Sequence, residues 1–489
     1  MDRIGQGRGT GRRGHVRAVL ALGAPLMASH LAQMAIHVTD TLMLGRYDVA
    51  ALAAATVSTS LFFVIFIVGS GFAMAVMPMV AEANAAGDAA RLRRVTRMGM
   101  WVSILYGAAF LVPIWFGERV LLAIGQTPEV AALGGDYLRI AGVLGLVPQL
   151  LIMVLKSHLS ALERTRPVLL AALAAAAANV PLNYALIFGR WGAPEMGIEG
   201  AAVASVIVTG IALLWTGAAA ARASEGAGLY ARLWRVDREA LGGVVRLGWP
   251  IGLTMLAESG LFSASAVMMG WLGTVPLAAH GIAIQIAALA FIVHVGLSQA
   301  ATIRAGAACG RGDRAELVRG ARAALGVSAT IVACVATLFL VLPEPLIALF
   351  LRPGEAEGAR IVALGAVLLT VAALFQIADA MQVMTLGLLR GVQDTRVPMI
   401  LAGLSYWAVG LPLGWALAFP LGLGPVGIWT GLAAGLGLAA AALSWRFWAV
   451  IVPVAPLAPG GGAAGRRPAA AGEGPGGRSP GRGREPAAP

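Results

Sequence analysis

Apolar residues run along this 489-residue chain in long unbroken blocks rather than alternating or returning once per helical turn. The blocks fall at roughly 15–44, 50–82, 95–117, 130–155, 167–189, 197–221, 243–271, 275–303, 320–342, 360–389, 397–420 and 424–452. Each reaches the approximately 20 residues that a helix needs to cross the hydrocarbon of a bilayer. A helix apolar on every side has no polar face to show to water, so it belongs in lipid or in a core. The pattern therefore predicts an all-α polytopic membrane protein of about twelve transmembrane helices. The first block is far longer than a signal-peptide core and is expected to stay as an anchor. From about 453 the blocks stop and the chain reads PGGGAAGRRPAAAGEGPGGRSPGRGREP, too poor in apolar side chains to fold, which predicts a disordered tail.

Composition agrees: 58% of residues are hydrophobic and only 12% charged. Once the blocks are drawn as spans, Arg46, Arg119, Arg139, Arg190, Arg352 and Arg360 fall on one side of the membrane. The other basic residues, Lys156 and Arg390 among them, are assigned to connections and termini on the opposite side. Positive charge gathers on cytoplasmic loops, so both termini are expected in the cytoplasm. The net charge of +12 then needs no nucleic acid, since a positive inner face and anionic lipid headgroups account for it. Cys309 and Cys334 lie apart, one in a connection and one in a span, so neither a disulfide framework nor a metal motif follows. No HExxH or DDxxD occurs, which speaks against a membrane protease or prenyl transferase.

The two halves repeat. Pro25 pairs with Pro250, Gly45 with Gly270, Leu52 with Leu277 and Gly87-Asp88 with Gly312-Asp313. Further on, Thr165-Arg166-Pro167 answers Thr395-Arg396 with Pro398, and Gly200 answers Gly427. An even number of spans separates the copies, so they are parallel repeats. The expected layout is a basic arm (1–14), an N-lobe of six spans (15–221), a cytoplasmic linker (222–242), a C-lobe of six spans (243–452) and the tail (453–489). Two six-helix lobes of this kind commonly hold substrate between them near the midplane and work by alternating access.

Three carboxylates interrupt the apolar blocks: Asp40, Glu258 and Asp379. An ionised acid at a helix centre costs about 2.5–3.5 kcal/mol even on lenient scales, so it marks a wet cavity or a cation site. In the repeat, Glu258 falls opposite Gln33, Asp379 opposite Gln149 and Asp40 opposite Ser265, so the acids are distributed unequally between lobes. His30, Gln33, His37 and Asp40 follow at helical spacing and predict one cavity-lining stripe. Thr254, Glu258 and Ser265, with Phe262, share a face of the seventh span, and Phe375, Gln376, Asp379 and Gln382 cluster on the tenth. Neither Glu258 nor Asp379 has a basic residue one turn away to neutralise it, which leaves a proton, a metal cation or an organic cation. Asn179 and Asn183 bracket Pro181 at i, i+4, and their amides could complete an oxygen shell for Na+ around Asp40. Met27, Met34, Met255, Met381 and Met384, with Tyr406 and Trp407, suggest an adaptable surface for flat hydrophobic cations.

Several segments agree in order and spacing with one family. LMLGRYDVAALAAA after Asp40, ESGLFSASAVMMGWLGTVPLAAHGIAIQ from Glu258, AGAACGRGD, and DAMQVMTLGLLRGVQDTRVP from Asp379 resemble the multidrug and toxic compound extrusion (MATE) transporters over roughly residues 15–450. Within them the chain resembles the NorM-like branch. The resemblance implies a secondary antiporter that expels organic cations or amphipathic drugs against Na+ or H+, with no other cofactor, acting as a monomer. It also implies that Glu258 and Asp379 bind the coupling cation and that Asp40 takes part in coupling, with Asn179 and Asn183 at an N-lobe cation shell. Some relatives carry an aspartate at the position of Asn183 and a threonine in the next helix, where this chain has GAAVA at 200–204. In the mechanism expected, cation and drug displace each other at Glu258 and Asp379 while Asp40 bends the first helix near Pro25. A lipid-linked oligosaccharide flippase of the same superfamily would share the two-lobe plan but should place basic residues inside its spans. A membrane-embedded enzyme is the remaining alternative.

Overall fold

The apolar blocks fold into twelve helices long enough to cross a membrane, and no strand occurs among the described residues. A computed structural model describes residues 11–224, 228–351 and 357–454, without the side chain of Arg12. The expected tail and most of the N-terminal arm lie outside them. The helices are α1 (Arg13–Tyr47), α2 (Val49–Ala85), α3 (Ala89–Trp115), α4 (Pro128–Ala161), α5 (Arg166–Phe188) and α6 (Gly197–Ala223), then α7 (Arg238–Leu272), α8 (Thr274–Arg311), α9 (Arg314–Val341), α10 (Gly358–Gly391), α11 (Arg396–Ala418) and α12 (Gly424–Val454). The chain is an all-α, multi-pass membrane protein. Many helices overrun the apolar blocks by a turn, because a helix continues into the headgroup layer until a cap or a left-handed residue stops it. Two short helices, Gly117–Ala123 and Pro343–Ala348, were not anticipated by the block pattern and precede α4 and α10 in matching positions.

The landmarks that betrayed the repeat have local causes. Gly87 and Gly312 adopt positive φ and turn the chain out of α2 and α8, a conformation that suits glycine. Asp88 and Asp313 then cap α3 and α9, accepting from the amides of Arg91 and Glu316 at 2.8 Å each. Gly427 lies where any side chain would meet the Ala418 backbone, so the turn between α11 and α12 closes tightly, and Gly200 meets the Leu186 carbonyl in the same way between α5 and α6.

The packing repeats too. Helix α2 lies on α4 as α8 lies on α10, and α5 on α6 as α11 on α12. Between the halves the contacts are reciprocal: α1 packs on α8, and α7 packs on α2. Glycines let these backbones approach. Gly248 faces Phe72, Gly252 faces Val68 and Gly296 faces Met27, each too close for a β-carbon.

Polar contacts seal the same end. The Gln393 amide donates to the Glu82 carboxylate, which also receives the Arg91 guanidinium at 3.0 Å. Arg304 on α8 donates to His15 Nδ1 on α1 at 2.9 Å, and the Gln299 amide donates to His30 Nε2 at 3.1 Å. These contacts lie toward the end where α1 and α7 begin and α2 and α8 end, called here the terminal end, with His30 innermost at the middle of α1. Among the described residues no hydrogen bond joins the lobes at the opposite end, where α1 passes into α2 and α7 into α8. Helix α1 runs unbroken through Pro25.

Candidate functional site

In the N-lobe, the i, i+4 spacing of Asn179 and Asn183 points both amides from α5 toward α1, and both side chains are fully buried. Asn179 Nδ2 donates to Asp40 Oδ1 at 2.9 Å, and Asn183 Nδ2 donates to the same oxygen at 2.5 Å. Their carbonyl oxygens are buried without partners. The charge of Asp40 also acts on Tyr137 from α4 and is acted on by His37 one turn away. A carboxylate, two amide oxygens and a phenol are hard oxygen donors of the kind that hold Na+, and the carboxylate alone can hold a proton. Among the described residues no three His, Cys, Asp or Glu side chains converge, as a transition-metal site would require.

In the C-lobe, Glu258 stands near the middle of α7 and Asp379 past the middle of α10, and their charges act on each other. Glu258 Oε1, Asp379 Oδ1 and the Tyr406 hydroxyl are buried without a hydrogen-bond partner, and the Gln382 amide lies against Glu258. Such a concentration of unpartnered polar atoms is rare in a protein interior, where each one costs about 1–3 kcal/mol. Arg390, one residue from the end of α10, acts on Glu258 from the terminal side. When both carboxylates are ionised, the Arg390 guanidinium offsets one of them and leaves a single negative charge. A π-helical turn at Ser405–Gly410 carries Tyr406 inward, where it is fully buried. Phe262 meets Phe375 edge-on at 6.0 Å, Phe375 meets Trp429 at 5.4 Å, and Trp429 Nε1 donates to His280 Nδ1 at 3.1 Å, so an aromatic wall flanks the acids.

The structure brings the predicted residues together in two groups, not one. Asp40, Asn179 and Asn183 form the first; Glu258, Asp379, Gln382 and Phe262 belong to the second. Among the described residues no hydrogen bond or ion pair joins them. Gln376 turns aside to donate to the Ala287 carbonyl at 3.3 Å. Gln33 and Gln149 are half-buried, and no side-chain hydrogen bond ties either to the acids. The hydroxyls of Thr254 and Ser265 are spent on the backbone of their own helix, donating to Pro250 and Phe262 at 2.7 Å each. The stripe on α1 divides: His30 turns to Gln299 in the other lobe, His37 is exposed, and Asp40 faces α5. Of the methionines, Met384 is buried and Met381 exposed, so they make no continuous surface.

Lys156 and Arg390, assigned to connections by the block pattern, lie inside α4 and α10. Both sit near helix ends, where a cation is indistinguishable by position from a loop residue, yet their long side chains reach inward. Tyr137 and Tyr406 were also missed as neighbours of the acids, since an aromatic residue in an apolar span carries no signal of its facing.

The MatE family model matches twice, over residues 25–185 and 250–416, once in each half. A probable multidrug resistance protein NorM of Rhizobium meliloti is 46% identical over 453 residues, covering 91% of this chain and 96% of the relative. One from Agrobacterium fabrum is 46% identical over 436 residues, covering 88% and 93%. Among solved structures, a MOP superfamily transporter from Pyrococcus furiosus superposes with a TM-score of 0.81 at 20% identity over 92% of this chain and all of that one. An outward-facing multidrug resistance MATE transporter gives a TM-score of 0.80 at 19% identity over 90% and 96%.

Proposed function

Because the chain belongs to the MatE family, we propose that it is a multidrug efflux transporter, and specifically a secondary antiporter that expels organic cations or amphipathic drugs in exchange for Na+ or H+. The observation that carries this reading is the facing of Glu258 and Asp379 mid-membrane, with oxygens unpartnered and an aromatic wall beside them. A cation neutralises the remaining charge there, and a flat apolar body packs on Phe262 and Phe375. A cation and a drug that need the same oxygens exclude each other, which is the minimum an exchanger requires. Asp40, with Asn179 and Asn183, is a second cation or proton site in the N-lobe. With the termini in the cytoplasm of a bacterial cell, the joined terminal end is the cytoplasmic one. Each positive charge entering down the membrane potential then supplies about 2.3 kcal/mol per 100 mV. One chain is the working unit, and it is a transporter rather than an enzyme.

The test is efflux of a fluorescent lipophilic cation from proteoliposomes, with Na+ and proton gradients imposed separately, for the wild type and Asp379→Asn. Transport driven by one gradient and lost in the variant supports the reading and names the ion. One observation favours a second reading: Lys156 and Arg390 are basic groups inside spans, as a lipid-linked oligosaccharide flippase would need. Movement of a labelled lipid phosphate across the same vesicles, with no gradient-driven cation efflux, would establish that alternative.

A further inference from the structure

Lys156 is the only lysine in the chain; every other basic residue among the 36 is arginine. It is also 3% exposed, in the interior of α4, with its Nζ unpartnered. Lysine is among the residues least often buried, and then usually paired. The two cations differ in one respect that matters here. A guanidinium keeps its proton in any protein environment, whereas a lysine taken out of water can shed its own. A chain that uses arginine everywhere else therefore has, at this buried and unpartnered position, the one basic side chain that can gain and lose a proton.

The surroundings connect that amine to the lobe contact. His30 on α1 is the titratable group whose charge acts together with that of Lys156, and it accepts from Gln299 on α8 at 3.1 Å. His158, two residues along α4, is occupied elsewhere, with Thr96 Oγ1 on one ring nitrogen and Ser224 Oγ on the other, both at 2.9 Å. No carboxylate faces Lys156 among the described residues. The contact between His30 and Gln299 joins the lobes and the charge of Lys156 is felt at that histidine, so parting the lobes there changes the surroundings of the amine.

We propose that Lys156 is a proton-binding site coupled to that contact, filled when the lobes part at the terminal end and emptied when they close. On parting, water of the terminal-side vestibule gives one proton to the amine. On closing, the ammonium returns it to the same water, because no counter-charge waits inside. One proton is thus taken up per opening, so acid on the terminal side favours the parted state and base favours the joined one. The site is separate from Asp40 and from the Glu258 and Asp379 pair. Its place in a transport cycle rests on the antiporter reading.

A single lysine makes the test direct. Acetic anhydride, applied across a pH series to the full-length protein in detergent, meets no amine but Lys156 and the α-amino group, and mass spectrometry of the Lys156 peptide reads its reactivity. Expected is acetylation at least about tenfold slower than in the denatured chain, rising when Gly252→Leu props the lobes apart. Equal reactivity in native and denatured protein, or no response to Gly252→Leu, overturns the proposal. Acetylation needs no substrate, so it stands even if antiport fails. In proteoliposomes, Lys156→Arg and Lys156→Gln should each slow efflux about tenfold or more and flatten its pH profile. A wild-type rate and profile in Lys156→Arg would mean that a fixed charge suffices and would sink the idea. Protection of Lys156 by a carboxylate compound in the propped-open protein, with the pH profile of reactivity unchanged, would replace the proton with an anion.

Discussion

Asn183 on α5 donates to Asp40 Oδ1 on α1 at 2.5 Å, and Asn179 donates to the same oxygen from one turn back. One carboxylate oxygen therefore holds two amides from a helix of the same lobe, and the first helix is tied to the fifth at the level of its acid. The other consequence is chemical: the amide carbonyls remain buried and unpartnered, available to a cation once the amides turn.

Replacing Asn183 by Leu removes one donor and one acceptor. If the N-lobe group binds Na+, the rise in melting temperature that Na+ gives the wild type in detergent should shrink in Asn183→Leu. It should grow in Asn183→Asp, where a second carboxylate faces the ion. The missing hydrogen bond alone costs about 1–3 kcal/mol. Identical Na+ responses in all three proteins, read by thermal unfolding with choline as the control ion, would remove Na+ from this site.

Glu258→Gln and Asp379→Asn each keep the shape of the side chain and discard its charge. Because the two acids act on each other, either change relieves repulsion, so the melting temperature should hold or rise while gradient-driven efflux falls by at least about tenfold. The double variant Asp40→Asn with Asp379→Asn should lose coupled efflux altogether. Normal coupling in that protein would exclude both sites from the cycle.

Arg390 is the permanent counter-charge of the C-lobe acids, and a cation arriving there competes with it. Arg390→Gln should tighten binding of a lipophilic cation on the order of tenfold, the size of a single charge acting over several ångströms in a partly polar interior. Fluorescence titration of purified protein measures this directly. Weaker binding in the variant would mean that Arg390 holds the acids in place rather than opposing the ligand.

What could be read from the sequence was whatever is local or costly. Gly87-Asp88 and Gly312-Asp313 are turn and cap chemistry written in adjacent letters, so the repeat was visible before any packing was known. Asp40, Glu258 and Asp379 stood out because a charge inside an apolar block is an outlier on energetic grounds. The pairing of Asp40 with Asn179 and Asn183 was legible through the proline and the i, i+4 spacing. The facing of Tyr137, Tyr406, Lys156 and Arg390 was not: in a helix apolar all round, no polar stripe declares which side looks inward. Charge near a helix end looks like a loop. The division of the α1 stripe was hidden for a related reason, since one helix passes from the C-lobe at His30 to its own lobe at Asp40.

The joining of the lobes also escaped the sequence, because it depends on glycines whose value lies in what they lack. Gly252 faces the Val68 carbonyl, where a β-carbon would stand 2.5 Å from the oxygen, and Gly71 meets Gly248 and Gly252 from the other side. Backbone cannot retreat from such a contact as a flexible side chain can. Gly252→Leu should therefore leave each lobe folded and penalise only their closure, by about 1–3 kcal/mol, the usual cost of overpacking a close contact. That is enough to move a balanced two-state equilibrium by about tenfold. Spin labels on Cys replacements at Arg94 in the loop-end turn of α3 and Arg319 in α9 would report the change as a longer distance population between lobes at the terminal end. Because α2 and α7 are related by the repeat to α8 and α1, Gly296→Leu at the Met27 contact should do the same from the other side of the interface. If both variants keep the wild-type distance distribution, these glycines pack the lobes without controlling when they part.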